Sequence, residues 1–147
     1  MAYSRYTLSS YSRGVDARYV IGRWSAANVA ANLTDSVLST FDTRSIARKH
    51  QVFVPTLIHA TWMDINTVAS TTGTLTVSIF VDGADAGAAF DMVMSGYSTG
   101  DQIVAKSHSP PLVVAAGSYV DIRITTSAAW ANTSADVTIA LEAGPAR

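Results

Sequence analysis

Three histidines, eleven acidic residues and no cysteine are the side chains in this 147-residue sequence from which a metal site or a proton relay would be built. His50, His59 and His108 each stand alone, with no HxxxH or HExxH spacing to turn two imidazoles toward one ion. Without cysteine there is neither a thiolate ligand nor a disulfide framework. Serine and aspartate are plentiful, but no GxSxG elbow singles out a nucleophile. Asp82, Asp85 and Asp91 crowd the stretch DGADAGAAFD and could supply oxygens to a calcium ion. Their spacing departs from the EF-hand loop and no glutamate closes it. Aspartates bonding the backbone of their own turn explain the same residues. The reading is of a protein that is not an enzyme, with no catalytic residue, no metal and no cofactor.

Binding is the remaining chemistry, and it points to two groups. The first is the N-terminal stretch MAYSRYTLSSYSRG, residues 1–14, where Tyr3, Arg5, Tyr6, Tyr11 and Arg13 alternate with small polar residues. Tyr and Arg anchor interfaces because each joins a flat apolar area to a polar end. The stretch has no continuous apolar face, so it reads as an assembly arm that orders on a partner, or as the frayed terminus common to most domains. The second group is the tryptophans. Trp24 and Trp62 fall inside strand patterns and read as core or interface, with Trp62 following Val52, Val54 and Ile58. Trp130, in the polar stretch SAAWANTS, is expected to be exposed, and with Asn132 and Thr133 it forms the candidate glycan-binding set. Asn32 and Asn132 also begin Asn-x-Ser/Thr acceptor patterns, which without a signal peptide would not meet the modifying enzyme.

The elements that must position these residues are strands. Thr74–Val81, TLTVSIFV, puts Leu75, Val77, Ile79 and Val81 on one face and Thr74, Thr76, Ser78 and Phe80 on the other. Asp82-Gly83 follows at once, a strong hairpin signal. YVDIRIT turns Val120, Ile122 and Ile124 inward with Asp121 and Arg123 outward, and 136–143 repeats the pattern with Val137, Ile139 and Leu141. Further strands are expected in 15–24, 37–41, 51–65, 90–94, 102–106 and at Leu112–Val114 beyond Pro110-Pro111. Pro55 argues for an edge position or a bulge, and SAANVAAN is the one alanine-rich stretch with some helical propensity. About eight strands with Gly/Pro punctuation predict an all-β antiparallel sandwich, jelly-roll-like, as one domain over 15–147 preceded by the arm.

Composition narrows the role. Charged residues are 14% of the chain, against about 25% in typical soluble domains, while apolar residues reach 48%. Part of the outer surface is then expected to be covered by other subunits, because obligate interfaces are depleted of charge. A neutral monomer coated with Ser and Thr is the alternative. Net charge is −1 overall, but residues 1–49 carry seven basic and three acidic side chains, net +4, and the rest net −5. A basic N-terminal part can thus meet the acidic body of a neighbour. The arginines are dispersed singly, so no phosphate-binding stripe and no nucleic-acid partner are expected. No apolar run approaches a membrane span, and no secretory leader is read at the N-terminus.

From Gly73 to Leu141 the sequence resembles the jelly-roll modules of tailed-phage structural proteins: head decoration (cement) proteins, head fibres and tail-fibre tips. TLTVSIFVDGADAG, PPLVVAAGSYVDIRIT and DVTIALEA carry the likeness. The resemblance implies a virion structural protein, trimeric or otherwise symmetric, without cofactor or catalysis, made in the host cytoplasm and partnered by sister subunits and a major capsid protein. The short chain with its arm, and the lack of a coiled-coil or collagen-like stalk, favour the capsid decoration type. A carbohydrate- or receptor-binding module of a fibre is the alternative.

Overall fold

In the computed structural model, residues 18–40 and 48–146 are described, and they form ten strands. These are β1 (Tyr19–Ala26), β2 (Ser36–Val37), β3 (Ser39–Thr40), β4 (His50–Gln51), β5 (Thr56–Val68), β6 (Thr74–Val81), β7 (Ala84–Val93), β8 (Gly100–Val114), β9 (Tyr119–Thr126) and β10 (Asp136–Pro145). One sheet runs β3-β1-β10-β5-β8, and the other β2-β9-β6-β7 with β4 beside β9. Every pairing is antiparallel. The first described strand lies against the last, and the two sheets share a core, which is the winding of a jelly roll. The expected eight strands become ten because the described residues between β1 and β5 contribute three two-residue strands. The alanine-rich stretch is not helical; among the described residues the only helical piece is a 3-10 turn at Met94–Gly96. No helix there is long and apolar enough to cross a membrane.

The core follows from period-two alternation. Val77, Ile79, Val120, Ile122, Ile124, Val137, Ile139 and Leu141 are all buried, together with Leu75 and Trp24. The Asp82-Gly83 hairpin forms as expected: both residues take positive φ, 51° and 82°, and Val81 pairs with Ala84 across a two-residue loop. Past the turn, DGADAGAAFD is strand rather than loop, because β7 keeps pairing with β6 through two bulges.

Three expectations need correction. Pro55 sits just ahead of β5, which is not an edge strand but lies between β10 and β8; of the two alternatives it is the bulge that β5 carries, at His59. Pro110-Pro111 does not separate two strands; β8 passes through it, because residues 108–111 form a bulge without partners on β5, where Ile58 pairs with Leu112 and Ala60 with Ser107, and among the described residues β8 is an edge strand. Asp121 and Arg123 do point away from the core, yet Asp121 is buried. Arg123 Nε donates to Asp121 Oδ2 at 2.8 Å while its guanidinium lies 3.9 Å from the centre of the Phe80 ring. That stack also buries Phe80, so the outer face of β6 is covered where alternation predicts solvent.

Candidate functional site: the outer face of the five-stranded sheet

Trp130 is where the sequence reading fails most clearly. Its ring is buried, with 2% of the residue exposed, and Nε1 donates to the Val29 carbonyl at 2.9 Å. An indole enclosed in this way has no free face on which a sugar can stack. Asn132 is equally buried: its Oδ1 accepts from the N–H groups of Ala69 and Ser70, and its Nδ2 donates to the Ser70 carbonyl. Thr133 alone of the three is exposed. Asn132 latches the β9–β10 connection to the β5–β6 connection, and Trp130 ties it to the β1–β2 connection through Val29. The polar local sequence hid this, since what buries Trp130 is a carbonyl about a hundred residues earlier in the chain.

The assembly-arm residues Tyr3, Arg5, Tyr6, Tyr11 and Arg13 lie outside the described residues. The hairpin aspartates do separate work. Asp82 Oδ1 accepts from Tyr119 N–H at 2.8 Å, Asp85 Oδ1 from Gly87 N–H at 2.8 Å, and Asp91 Oδ1 from the Thr76 hydroxyl at 2.9 Å. The Tyr119 N–H, helped by the Ser118 hydroxyl, holds the Asp82 carboxyl below the usual range. Among the described residues no three His, Asp or Glu side chains gather into a possible metal set.

The histidines are scattered too. His50 meets the edge of the Trp24 ring, with centroids 6.5 Å apart. His108 Nε2 lies 2.8 Å from the hydroxyl of Thr61, which is fully buried. Burial first, and Lys106 second, hold the His108 imidazole below its ordinary pKa. In the unfolded chain that ring takes up a proton near its ordinary value of about 6.5, before the folded protein does. Stability from this site is thus complete above that pH and is lost as pH falls through the lowered folded value. Thermal unfolding followed from about pH 7.5 down to about pH 5 should show a falling midpoint, and His108→Gln should flatten that slope.

Trp62 is the indole that reaches solvent, at 44% exposure. The cause is a bulge. Ile58 pairs with Ala143 and Ala60 with Glu142, which leaves His59 as an extra residue on β5. An extra residue reverses the facing of everything after it. Ile58 is buried before the bulge; Thr61, Met63 and Ile65 are buried after it, and Trp62 and Asp64 turn outward. Simple alternation from Ile58 puts Trp62 inside, and that is the signal that misled the sequence reading.

On this outer face the register fixes two cross-strand rows. Arg23, Ala140, Trp62 and Ala105 form one, from β1 through β10 and β5 to β8; Ser25, Thr138, Asp64 and Ile103 form the next. Cross-strand neighbours in such rows lie about 5 Å apart. The alanines on either side of Trp62 leave its ring standing clear, and a shallow groove of about 220 Å³ runs along Arg23, Trp62, Asp64, Ile103, Thr138 and Ala140. Trp62 Nε1 lies 3.4 Å from Glu142 Oε2, and Glu142 Oε1 in turn accepts from Arg18 at 3.2 Å. A second groove, of about 320 Å³, lies where β1 begins, lined by Tyr19, Val20, Phe53 and Val54 with His50 and Gln51. All four of those apolar side chains are exposed.

No protein-family model and no curated protein matches the sequence. Among solved structures, the chain is similar to a family 35 carbohydrate-binding module from Clostridium thermocellum, at 13% identity and a TM-score of 0.40, over 88% of this chain and 99% of that one. It is also similar to murine APRIL, at 11% identity and a TM-score of 0.36, over 82% and 98%. An acetyl xylan esterase from Butyrivibrio proteoclasticus gives 10% identity and a TM-score of 0.30, over 88% of this chain and 29% of that one.

Proposed function

We propose that this chain is a structural subunit of a virion, of the capsid decoration type, which binds copies of itself and a larger shell. The observation that carries the reading is the exposed apolar groove of Tyr19, Val20, Phe53 and Val54. Phe53 is 72% exposed, and burying such a cluster against a partner removes an unfavourable contact with water. The low charge content supports the same reading, and the resemblance over residues 73–141 supports its assignment to a virion. Light scattering on the purified chain should give a multiple of 15.5 kDa, with a trimer expected; a monomer at high concentration would count decisively against assembly. Deleting residues 1–14 should leave thermal unfolding nearly unchanged and abolish association and capsid binding. Full assembly without those residues, or loss of folding with them, would each remove the arm from the proposal.

The second reading, a carbohydrate-binding module, loses Trp130 as its platform. It rests instead on the exposed indole of Trp62.

A further inference from the structure

We propose that the outer face of the β3-β1-β10-β5-β8 sheet holds a binding site for a neutral pyranose sugar, stacked on Trp62 and hydrogen-bonded by Asp64 and Arg23. This deepens the carbohydrate reading and is independent of the assembly reading. Three features of the face fit that ligand. A pyranose ring is a small body with an apolar C–H side and a rim of hydroxyls, so it needs one flat aromatic surface beside polar groups that both donate and accept. Trp62 supplies the surface, between two alanines that leave the ring uncrowded. Asp64 can only accept and Arg23 can only donate. Neither makes a hydrogen bond or ion pair among the described residues, and both line the same groove as the indole. Thr138 adds a hydroxyl on the row that holds Asp64.

The indole is also held in place before any ligand arrives. Its N–H faces Glu142, and Glu142 is fixed by Arg18, so part of the ordering cost of binding is met by the fold itself. A second copy of the chain suits the face less well. The centre of a protein interface is depleted of charge, whereas here Arg23, Asp64 and Glu142 lie around Trp62, and Ile103 is the other large apolar side chain exposed on the groove. The groove, about 220 Å³, is below the roughly 300–1,000 Å³ of sites for drug-sized ligands, so it suits one ring rather than an extended chain.

The test uses the full chain and a panel of neutral sugars: glucose, galactose, mannose, xylose, N-acetylglucosamine and their short oligomers. Binding is measured by calorimetry and by tryptophan emission, since Trp24 and Trp130 are buried and Trp62 alone is open to a ligand. At least one sugar should bind and perturb the emission. Trp62→Ala should weaken that binding by about tenfold or more, and Asp64→Asn by a smaller factor. Asp64→Asn should keep the wild-type unfolding midpoint within about a degree or two, and Trp62→Ala, which gives up the covered part of the indole and its contact with Glu142, should lower it by a few degrees and still unfold cooperatively. If no sugar in the panel binds, the site and the carbohydrate reading both fall. If a sugar binds equally well to Trp62→Ala, the site falls and the carbohydrate reading survives elsewhere on the chain. If Trp62→Ala instead changes the oligomeric mass, the face is a contact between copies and the proposal is overturned.

Discussion

Ile122→Asp should abolish folding. Ile122 is fully buried in β9, paired with Ile79 of β6 in the interior of the β2-β9-β6-β7 sheet and facing the shared core. A carboxylate placed there would have no cationic partner, since the neighbouring core is aliphatic and aromatic. An unpaired buried charge costs several kcal/mol even after it neutralises, against a total stability of about 5–15 kcal/mol for a domain. The expected result is insoluble protein or a chain without a cooperative unfolding transition. Ile122→Val, which removes one methylene, should cost only about 0.5–1.5 kcal/mol and remain folded. Cooperative unfolding of the Asp variant near the wild-type midpoint would show that the assigned register of β9 is wrong.

The second large effect is expected at Gly73, in the turn before β6. Its φ is +88°, and a Cβ built on it would lie 2.6 Å from both the N and the Cα of Trp130 and 2.8 Å from the Ala129 carbonyl carbon. These are backbone atoms, so relief requires moving the whole segment. That segment carries the buried indole of Trp130 and, two residues on, the Asn132 side chain that binds Ala69 and Ser70. Gly73→Ala thus combines an unfavourable φ, about 1–2 kcal/mol, with overpacking, typically about 1–3 kcal/mol more. Gly83→Ala is the matched control: its φ is +82°, yet nothing lies within 4 Å of the added Cβ. Urea unfolding of the two variants should place Gly73→Ala well below Gly83→Ala, and the gap between them measures the close approach to Trp130. Equal destabilisation would mean that the turn and the Trp130 segment separate freely.

What could be read from the sequence was what depends on neighbours in the chain. The strands β6, β9 and β10 alternate cleanly, and the Asp82-Gly83 turn needs only two residues with positive φ. Their core-facing residues follow from local pattern. The candidate site was not legible, because two non-local facts decide which indole is exposed. One is the extra residue His59, which appears only when β5 is laid against β10 and which turns Trp62 outward. The other is the Val29 carbonyl, which takes Trp130 into the interior. The polarity of its own segment reads Trp130 as exposed, and the strand pattern reads Trp62 as core or interface; distant backbone reverses the first and removes the core half of the second. The outer face of β9 has the same origin: Asp121 and Arg123 alternate as solvent residues, but Phe80 on the adjacent strand lets them fold over it.

The pairing of β1 with β10 also governs the order in which the molecule can form. Nearly all of the described chain lies between these strands, and β10 enters the middle of its sheet, hydrogen-bonded to β1 on one side and β5 on the other. During synthesis, β1 and β5 each present an open rim of backbone donors and acceptors until the last strand emerges. Pairings this far apart in sequence form slowly, because loop closure precedes any reward from contact. In that interval the unfilled rims are templates for another copy's strands, so aggregation competes with folding while β10 is still missing. β10 acts as the closing segment between β1 and β5, and slower synthesis at lower temperature should raise the soluble yield by keeping fewer unfinished chains in contact at once.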